Sequence, residues 1–167
     1  VAKVVSPRIV HKSEHGGVVA GIRSDGALSA AFERFRTLEQ FAGMLVEEMV
    51  SGLELIVGAK VDEQFGPVIL LGMGGTGVEI YKDATIRMAP LREQDVDSMR
   101  KGLKAHELLE GYRGAEPVSV DELRRLLMTF SGLVMDLQDL VESIDLNPVK
   151  CTGSKCIVAD ARIMLQG

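Results

Sequence analysis

Three groups of residues in this 167-residue chain have the types and spacing to do chemistry. Asp145 and Asn147 lie two apart in VESIDLNPV, so an extended chain puts both on one face, and Asp160 follows in the next strand-like run. Carboxylate and amide oxygens are hard donors of the kind that hold Mg²⁺ while leaving places for water and phosphate oxygens. The plainer alternative is that Asn147-Pro148 is turn chemistry and Asp160 a surface residue. The second group is Ser6 to Val18, SPRIVHKSEHGGV, with His11, His15, Arg8, Lys12 and a Gly16-Gly17 pair. Backbone N–H groups and cations in such a loop suit a phosphate, although a solvated turn has the same composition. The third is Gly72-Met73-Gly74-Gly75-Thr76-Gly77, a letter-for-letter G-x-G-x-x-G behind the apolar run Val68–Leu71. It invites a dinucleotide fold with a helix opening at the last glycine, hence a nicotinamide-dependent oxidoreductase. The following residues argue against that. Val78, Ile80, Ala84, Ile86 and Met88 alternate with polar residues, a strand pair with a turn near Lys82-Asp83. A glycine loop between strands still lets backbone come close to a ligand or another chain.

Composition bounds these readings. At 46% hydrophobic, 26% charged and a net charge of −5, the chain is an ordinary globular one, a single domain or part of one. Mild acidity argues against a nucleic-acid surface, and 4% aromatics without tryptophan argues against base-stacking platforms. No apolar run reaches the length of a membrane span and no signal peptide is visible, so neither a membrane nor a secretory route is expected. Cys151 and Cys156 are too few for a disulfide scaffold; their C-x₄-C spacing allows a local bridge or half a metal site without partner thiols, and a reduced, cytosolic pair is the expectation.

The elements that must position these groups follow from periodicity. Val1–Val5 is strand-like from its first residue, so the chain is expected to be cut from a longer one, and Lys3 within it reads as an edge-strand lysine facing water. Val18–Ile22 is a second strand. Ala27 to Met44 has helical spacing, with Leu28, Ala31, Phe35, Leu38 and Ala42 in one stripe. Leu45–Val50 and Glu54–Val61 read as strands, and Asp62–Pro67 as a turn. Asp95 to Leu109 is helical. Ser119 before Asp121-Glu122 opens another helix through about Leu137, with Leu123, Leu126, Leu127, Phe130, Leu133, Val134 and Leu137 as its core face. Leu140–Val149 and Ile157–Leu165 close the chain as strands. The expected class is α+β, a mostly antiparallel sheet flanked by helices.

In this order, the segments KVVSPRIVHKSEHGGV, LVEEMVSGLELIVGAKVDEQFGPVILLGMGG, VEIYKDATIRMAPL, LLEGYRG, IDLNPV and ADARI span nearly all 167 residues. The chain thereby resembles the ATP-grasp domain of ADP-forming acyl-CoA synthetases, the acetate–CoA ligase family, and more distantly the nucleotide-binding subunit of succinyl-CoA synthetase. The resemblance implies most of one ATP-grasp domain over 1–167, with an N-terminal portion missing. It implies ATP or ADP and Mg²⁺ as ligands, and the reaction ATP + carboxylate + CoA giving acyl-CoA, ADP and phosphate. CoA-binding and ligase domains or a partner subunit would complete a cytoplasmic enzyme; the 167 residues alone would bind ATP poorly and form no acyl-CoA. Lys3 would contact nucleotide phosphates, and His11 in HKSE would take part in phosphoryl relay, with Glu14 where the family usually has Asp. Glu48, Met49 and Val50 would receive adenine and ribose, largely through backbone groups. Glu54 would lie near the ribose, and Asn147 and Asp160 would ligate Mg²⁺. Relatives usually carry Glu where this chain has Ser143. Strict alternation turns the neighbouring Glu142 to the other face, which leaves open a degenerate structural or regulatory domain, as in fusions to a protein acetyltransferase.

Overall fold

The computed structural model describes residues 1–9, 12, 15–75 and 82–167. They form two compact units, Val1–Met49 and Val50–Gly167. The alternation expected over Val78 and Ile80 lies outside the described residues, as does any helix start at Gly77; Ala84–Met88 is a strand.

In the first unit, β1 (Ala2–Val5) is the middle of a three-stranded sheet, between β2 (Val18–Val19) and β3 (Gly43–Val46). Both pairings are antiparallel. Lys3 is therefore on a central strand and not an edge, because its partners Val18 and Leu45 come from far along the chain. Ala2 and Val4 are buried with Ile9 and with Ala31 and Phe35 of α1 (Asp25–Phe35). Ser24 caps α1 by accepting from the Ala27 N–H. The helix stops at Phe35, well before the expected Met44. Leu38 and Phe41 still pack on this core, but from a tight turn in which Gln40 has φ +49°. An edge-on contact between Phe32 and Phe41 at 5.6 Å closes that turn against the helix. The apolar spacing is real, but part of it belongs to the turn.

The second unit holds a six-stranded sheet in the order β6-β5-β4-β7-β8, with β9 also on β7. The strands are β4 (Leu53–Asp62), β5 (Gly66–Met73), β6 (Ala84–Met88), β7 (Val141–Cys151), β8 (Cys156–Val158) and β9 (Ala161–Leu165), all paired antiparallel. Asp62 ends the β4–β5 hairpin by accepting the N–H groups of Gln64 and Phe65, each at 2.9 Å. Leu55, Val57, Ile69 and Leu71 cover one sheet face, against α2 (Glu93–Gly102) and α3 (Val120–Leu137). From α3 come Leu123, Leu127, Phe130 and Val134; Leu133, expected in the core, is exposed. The buried Ser131 hydroxyl accepts the Leu91 N–H at 2.8 Å, tying α3 to the entry of α2.

The last expected strand is divided into β8 and β9, with Ala159 and Asp160 between them. Cys151 and Cys156, directly opposite in β7 and β8, are joined by a disulfide, which corrects the expectation of free thiols. The antiparallel register brings C-x₄-C across a hairpin, a proximity that spacing alone leaves undecided.

The helix expected over Asp95 to Leu109 ends at Gly102 and passes into a short 3-10 turn at His106–Leu108. Asp83 is the reason. This carboxylate, 6% exposed, accepts the N–H of Lys104 at 2.7 Å and of Ala105 at 2.8 Å, so an outside acceptor holds the chain as it leaves the helix. Asp83→Ala would leave two shielded donors without acceptors and is expected to cost about 2–4 kcal/mol, with Asp83→Asn intermediate. Urea unfolding checks this; a loss under about 0.5 kcal/mol for the alanine variant, the range of an ordinary surface change, contradicts the anchor.

Candidate functional site

The sheet of the second unit has one face under its helices, and the other face collects the chemistry. Even-numbered positions of β4, Glu54, Ile56, Gly58 and Lys60, point away from the core that Leu55, Val57 and Ala59 enter. On β7 alternation is broken twice. Val141 and Ile144 are both buried though three apart, and the pairing with β9 shifts register between Val141 and Ser143. Glu142 and Ser143 thus lie together off the core face, a bulge in which two residues oppose one. This corrects the expectation that Glu142 faces the other way from Ser143. A second shift against β4 separates buried Ile144 from buried Val149 and Cys151, and leaves Asp145, Asn147 and Lys150 on the open side.

Asn147 and Asp160 meet at that second irregularity. The Asn147 N–H donates to the Asp160 carbonyl at 3.1 Å, and the Ala159 N–H to the Pro148 carbonyl at 2.9 Å. Both side chains are exposed, and one Asp160 oxygen accepts the Ala161 N–H at 3.2 Å. Asp145 stands opposite Arg162 on β9. Partial burial raises its carboxyl above the usual aspartate range, Arg162 opposes the rise, and the nearby Asp160 charge adds to it. Among the described residues no three His, Cys, Asp or Glu side chains converge as a metal cage. An amide oxygen with one or two carboxylates is instead a sparse, hard set. It fits Mg²⁺, which keeps most of its shell for water and phosphate oxygens.

Glu54 sits at the entrance to the glycine run. Its carbonyl accepts the Gly74 N–H at 2.7 Å, and a Cβ on Gly74 would lie 2.8 Å from the Glu54 carbonyl carbon, so only glycine fits there. Lys150, opposite Glu54 in the β4–β7 register, donates to its Oε1. In the first unit, Lys3 Nζ is 2.7 Å from Glu47 Oε2, and Lys3 is mostly buried. Gly17 donates its N–H to the Lys12 carbonyl at 2.7 Å, and its carbonyl accepts from the Val4 N–H at 2.8 Å. His11 and Glu14 lie outside the described residues. Glu48 and Met49 end the first unit, beyond β3 and not within a strand as expected, and Val50 begins the second unit. The structure thus brings Asn147, Asp160 and Asp145 together, and Glu54 beside the glycines. Lys3 with Glu47 is a separate pair. Lys150 and Glu47 were not legible as site residues, because each is defined by a partner on another strand.

The ATP-grasp domain profile matches residues 1–165. The chain belongs to the ATP-grasp family. Within it, the domain is 42% identical over 172 residues to acetate–CoA ligase (ADP-forming) I of Archaeoglobus fulgidus, covering 99% of this chain and 25% of that protein. It is 38% identical over 176 residues to the beta subunit of acetate–CoA ligase (ADP-forming) I of Pyrococcus furiosus, covering 99% of this chain and 74% of that subunit. The ATP-grasp domain therefore spans only a quarter of the first relative. Among solved structures it is similar to acetyl-coenzyme A synthetase 1 of Candidatus Korarchaeum cryptofilum, with TM-score 0.88 and 38% identity, covering 99% of this chain and 76% of that one. That protein was solved with coenzyme A and Mg-AMPPCP, its phosphohistidine segment pointing towards the nucleotide binding site. The α+β class and the antiparallel sheets of this domain agree with the family expected from sequence.

The open face of this ATP-grasp domain has a consequence for pH. Because the Asp145 carboxyl is raised in the fold, its protonated form is favoured there, and the stability it contributes is full below the ordinary aspartate range and lost as pH rises through the folded value. Asp145→Asn mimics the protonated form. The variant is expected to melt higher than the parent at pH 7, with the difference shrinking to nothing as pH falls below about 4. A pH-independent difference in melting temperature contradicts this.

Proposed function

We propose that the chain is the nucleotide-binding module, most of one ATP-grasp domain, of a cytoplasmic ADP-forming acyl-CoA synthetase. The observation that carries the reading is the Asn147–Asp160 juncture, where a main-chain hydrogen bond at 3.1 Å joins two residues whose exposed side chains are an amide and a carboxylate. The donor types suit Mg²⁺, and relatives of 38–42% identity are ligases of this kind. The overall reaction would be ATP + carboxylate + CoA giving acyl-CoA, ADP and phosphate, with CoA-binding and ligase domains or a separate subunit supplying the rest. ATP and CoA are cytoplasmic metabolites, which agrees with the proposed location.

Phosphoryl transfer needs positioning and charge neutralisation more than covalent help from protein. Bound with the nucleotide, Mg²⁺ supplies positive charge to the phosphate oxygens. Asn147 and Asp160 would hold that ion. Lys3, whose Nζ lies 2.7 Å from Glu47, would contact the phosphates. Glu48, Met49 and Val50 would receive the adenine and ribose, largely through backbone groups. Glu54 would accept from ribose hydroxyls. His11, which follows β1 in sequence, would carry or guide the phosphoryl group. A degenerate domain loses its main support, since Glu142 shares the open face with Ser143.

Two variants of the complete enzyme separate these roles. Asp160→Asn is expected to weaken Mg·ATP at least about tenfold, about 1.4 kcal/mol, while metal-free nucleotide binds nearly as before. His11→Ala is expected to keep Mg·ATP affinity and abolish ADP–ATP exchange. Calorimetry and isotope exchange read the two effects. Equal loss of both nucleotide forms in Asp160→Asn removes it as a metal ligand, and normal exchange in His11→Ala removes the histidine from the mechanism.

A further inference from the structure

We propose that Lys150 is a positioning residue for the nucleotide sugar: it fixes the rotamer of Glu54 so that the second carboxylate oxygen is presented beside Gly75. The inference rests on the nucleotide-binding reading above. Lys150 lies on β7 and Glu54 on β4, 96 residues apart in sequence and opposite in register, and Lys150 Nζ donates to Glu54 Oε1. The other oxygen, Oε2, lies 3.5 Å from where a Cβ on Gly75 would be, so it faces the side-chain-free corner at Gly75. Gly75 itself has φ +99°, a conformation that keeps side chains away from this corner.

Glu54 is thus held at three points. Its carbonyl takes the Gly74 N–H, its peptide is locked in the β4–β7 ladder, and its Oε1 takes the Lys150 ammonium. Side-chain exposures of 20% for Lys150 and 36% for Glu54 leave the pair at the rim of the open face. A partly exposed ion pair of this sort adds little to stability. Its consequence is geometric: a free glutamate samples several rotamers, and this one is restricted to the rotamer that keeps Oε2 available. An available carboxylate oxygen next to a side-chain-free backbone accepts hydrogen bonds from neutral hydroxyls, the chemistry of a ribose. The base of the arrangement is rigid, since Cys151, the next residue, is buried and joined to Cys156.

The test compares binding of ADP and 2′,3′-dideoxy-ADP to the complete enzyme by calorimetry, for the parent, Lys150→Met, Lys150→Arg and Glu54→Gln. The parent is expected to prefer ADP by roughly tenfold or more, the effect of one hydrogen bond to a charged group. Lys150→Met should lose most of that preference, Lys150→Arg should retain much of it, and Lys150→Met in a Glu54→Gln background should change it no further. The preference is a ratio of two affinities in one sample, so a loss of stability does not imitate its collapse. Equal weakening of both nucleotides in Lys150→Met would make the lysine a phosphate contact and overturn the proposal. An unchanged preference in Lys150→Met would overturn it too, while leaving nucleotide binding intact. No binding of either nucleotide by the parent would sink the nucleotide-binding reading itself.

Discussion

The second unit depends on β7 serving two faces at once. This strand bonds to β4 on one side and to β8 and β9 on the other, and it sends Val141, Ile144, Val149 and Cys151 into the core. Strict alternation cannot do that, because the odd gaps between Val141, Ile144 and Val149 change which side faces in. Two irregularities absorb the odd gaps, one against β9 and one against β4. Burying each large aliphatic side chain is worth about 1.5–3 kcal/mol. Holding these residues against the helices outweighs the few ladder bonds that the irregularities disturb, each worth about 1 kcal/mol net. Packing on the helical side therefore decides where Glu142, Asp145, Asn147 and Lys150 emerge on the other.

The first unit reaches its arrangement by closeness of backbone more than by bulk of core. Gly17 bridges the Lys12 carbonyl and the Val4 N–H, and a Cβ there would meet the Lys12 carbonyl at 3.1 Å as well as the Val4 side chain. Gly17 and Lys12 are thereby tied to the strand that carries Lys3. On that same strand, Ala2 and Val4 bury on one side, which turns Lys3 to the other, where Glu47 receives it. Period two on a short central strand is enough to place the cation.

Where periodicity extends over a whole element, the sequence was readable. The helix from Ser119 to Leu137 follows from its spacing and cap, β4 from its alternation, β5 from its apolar run, and the hairpin at Asp62–Gly66 from its turn residues; β7 reads as strand-like although its alternation is broken twice. Boundaries failed where apolar residues pack from turns, as Leu38 and Phe41 do, or where a distant side chain captures the chain, as Asp83 does. The nearness of Asn147 and Asp160 follows from the pairing of the last strands, while their role as metal ligands rests on the family resemblance. Lys150 was not legible, since nothing near it in sequence points to Glu54. The cysteine pair was left between a bridge and free thiols for a related reason: only the β7–β8 register sets the two sulfurs opposite each other.

The same register logic bears on whether Ser143 marks a decayed site. With period two, replacing an acidic residue by serine removes a carboxylate from the open face, and the glutamate one place earlier is lost into the core. A bulge changes the count. With two residues opposing one, neighbours in sequence emerge on the same side, so a carboxylate can move by one position and stay on its face. Glu142 is exposed, and the buried residues that flank the pair, Val141 and Ile144, hold it there by their own packing. A strand with a bulge beside its polar residues tolerates that substitution in a way a regular strand does not, so Ser143 carries no argument for a domain that has lost its function.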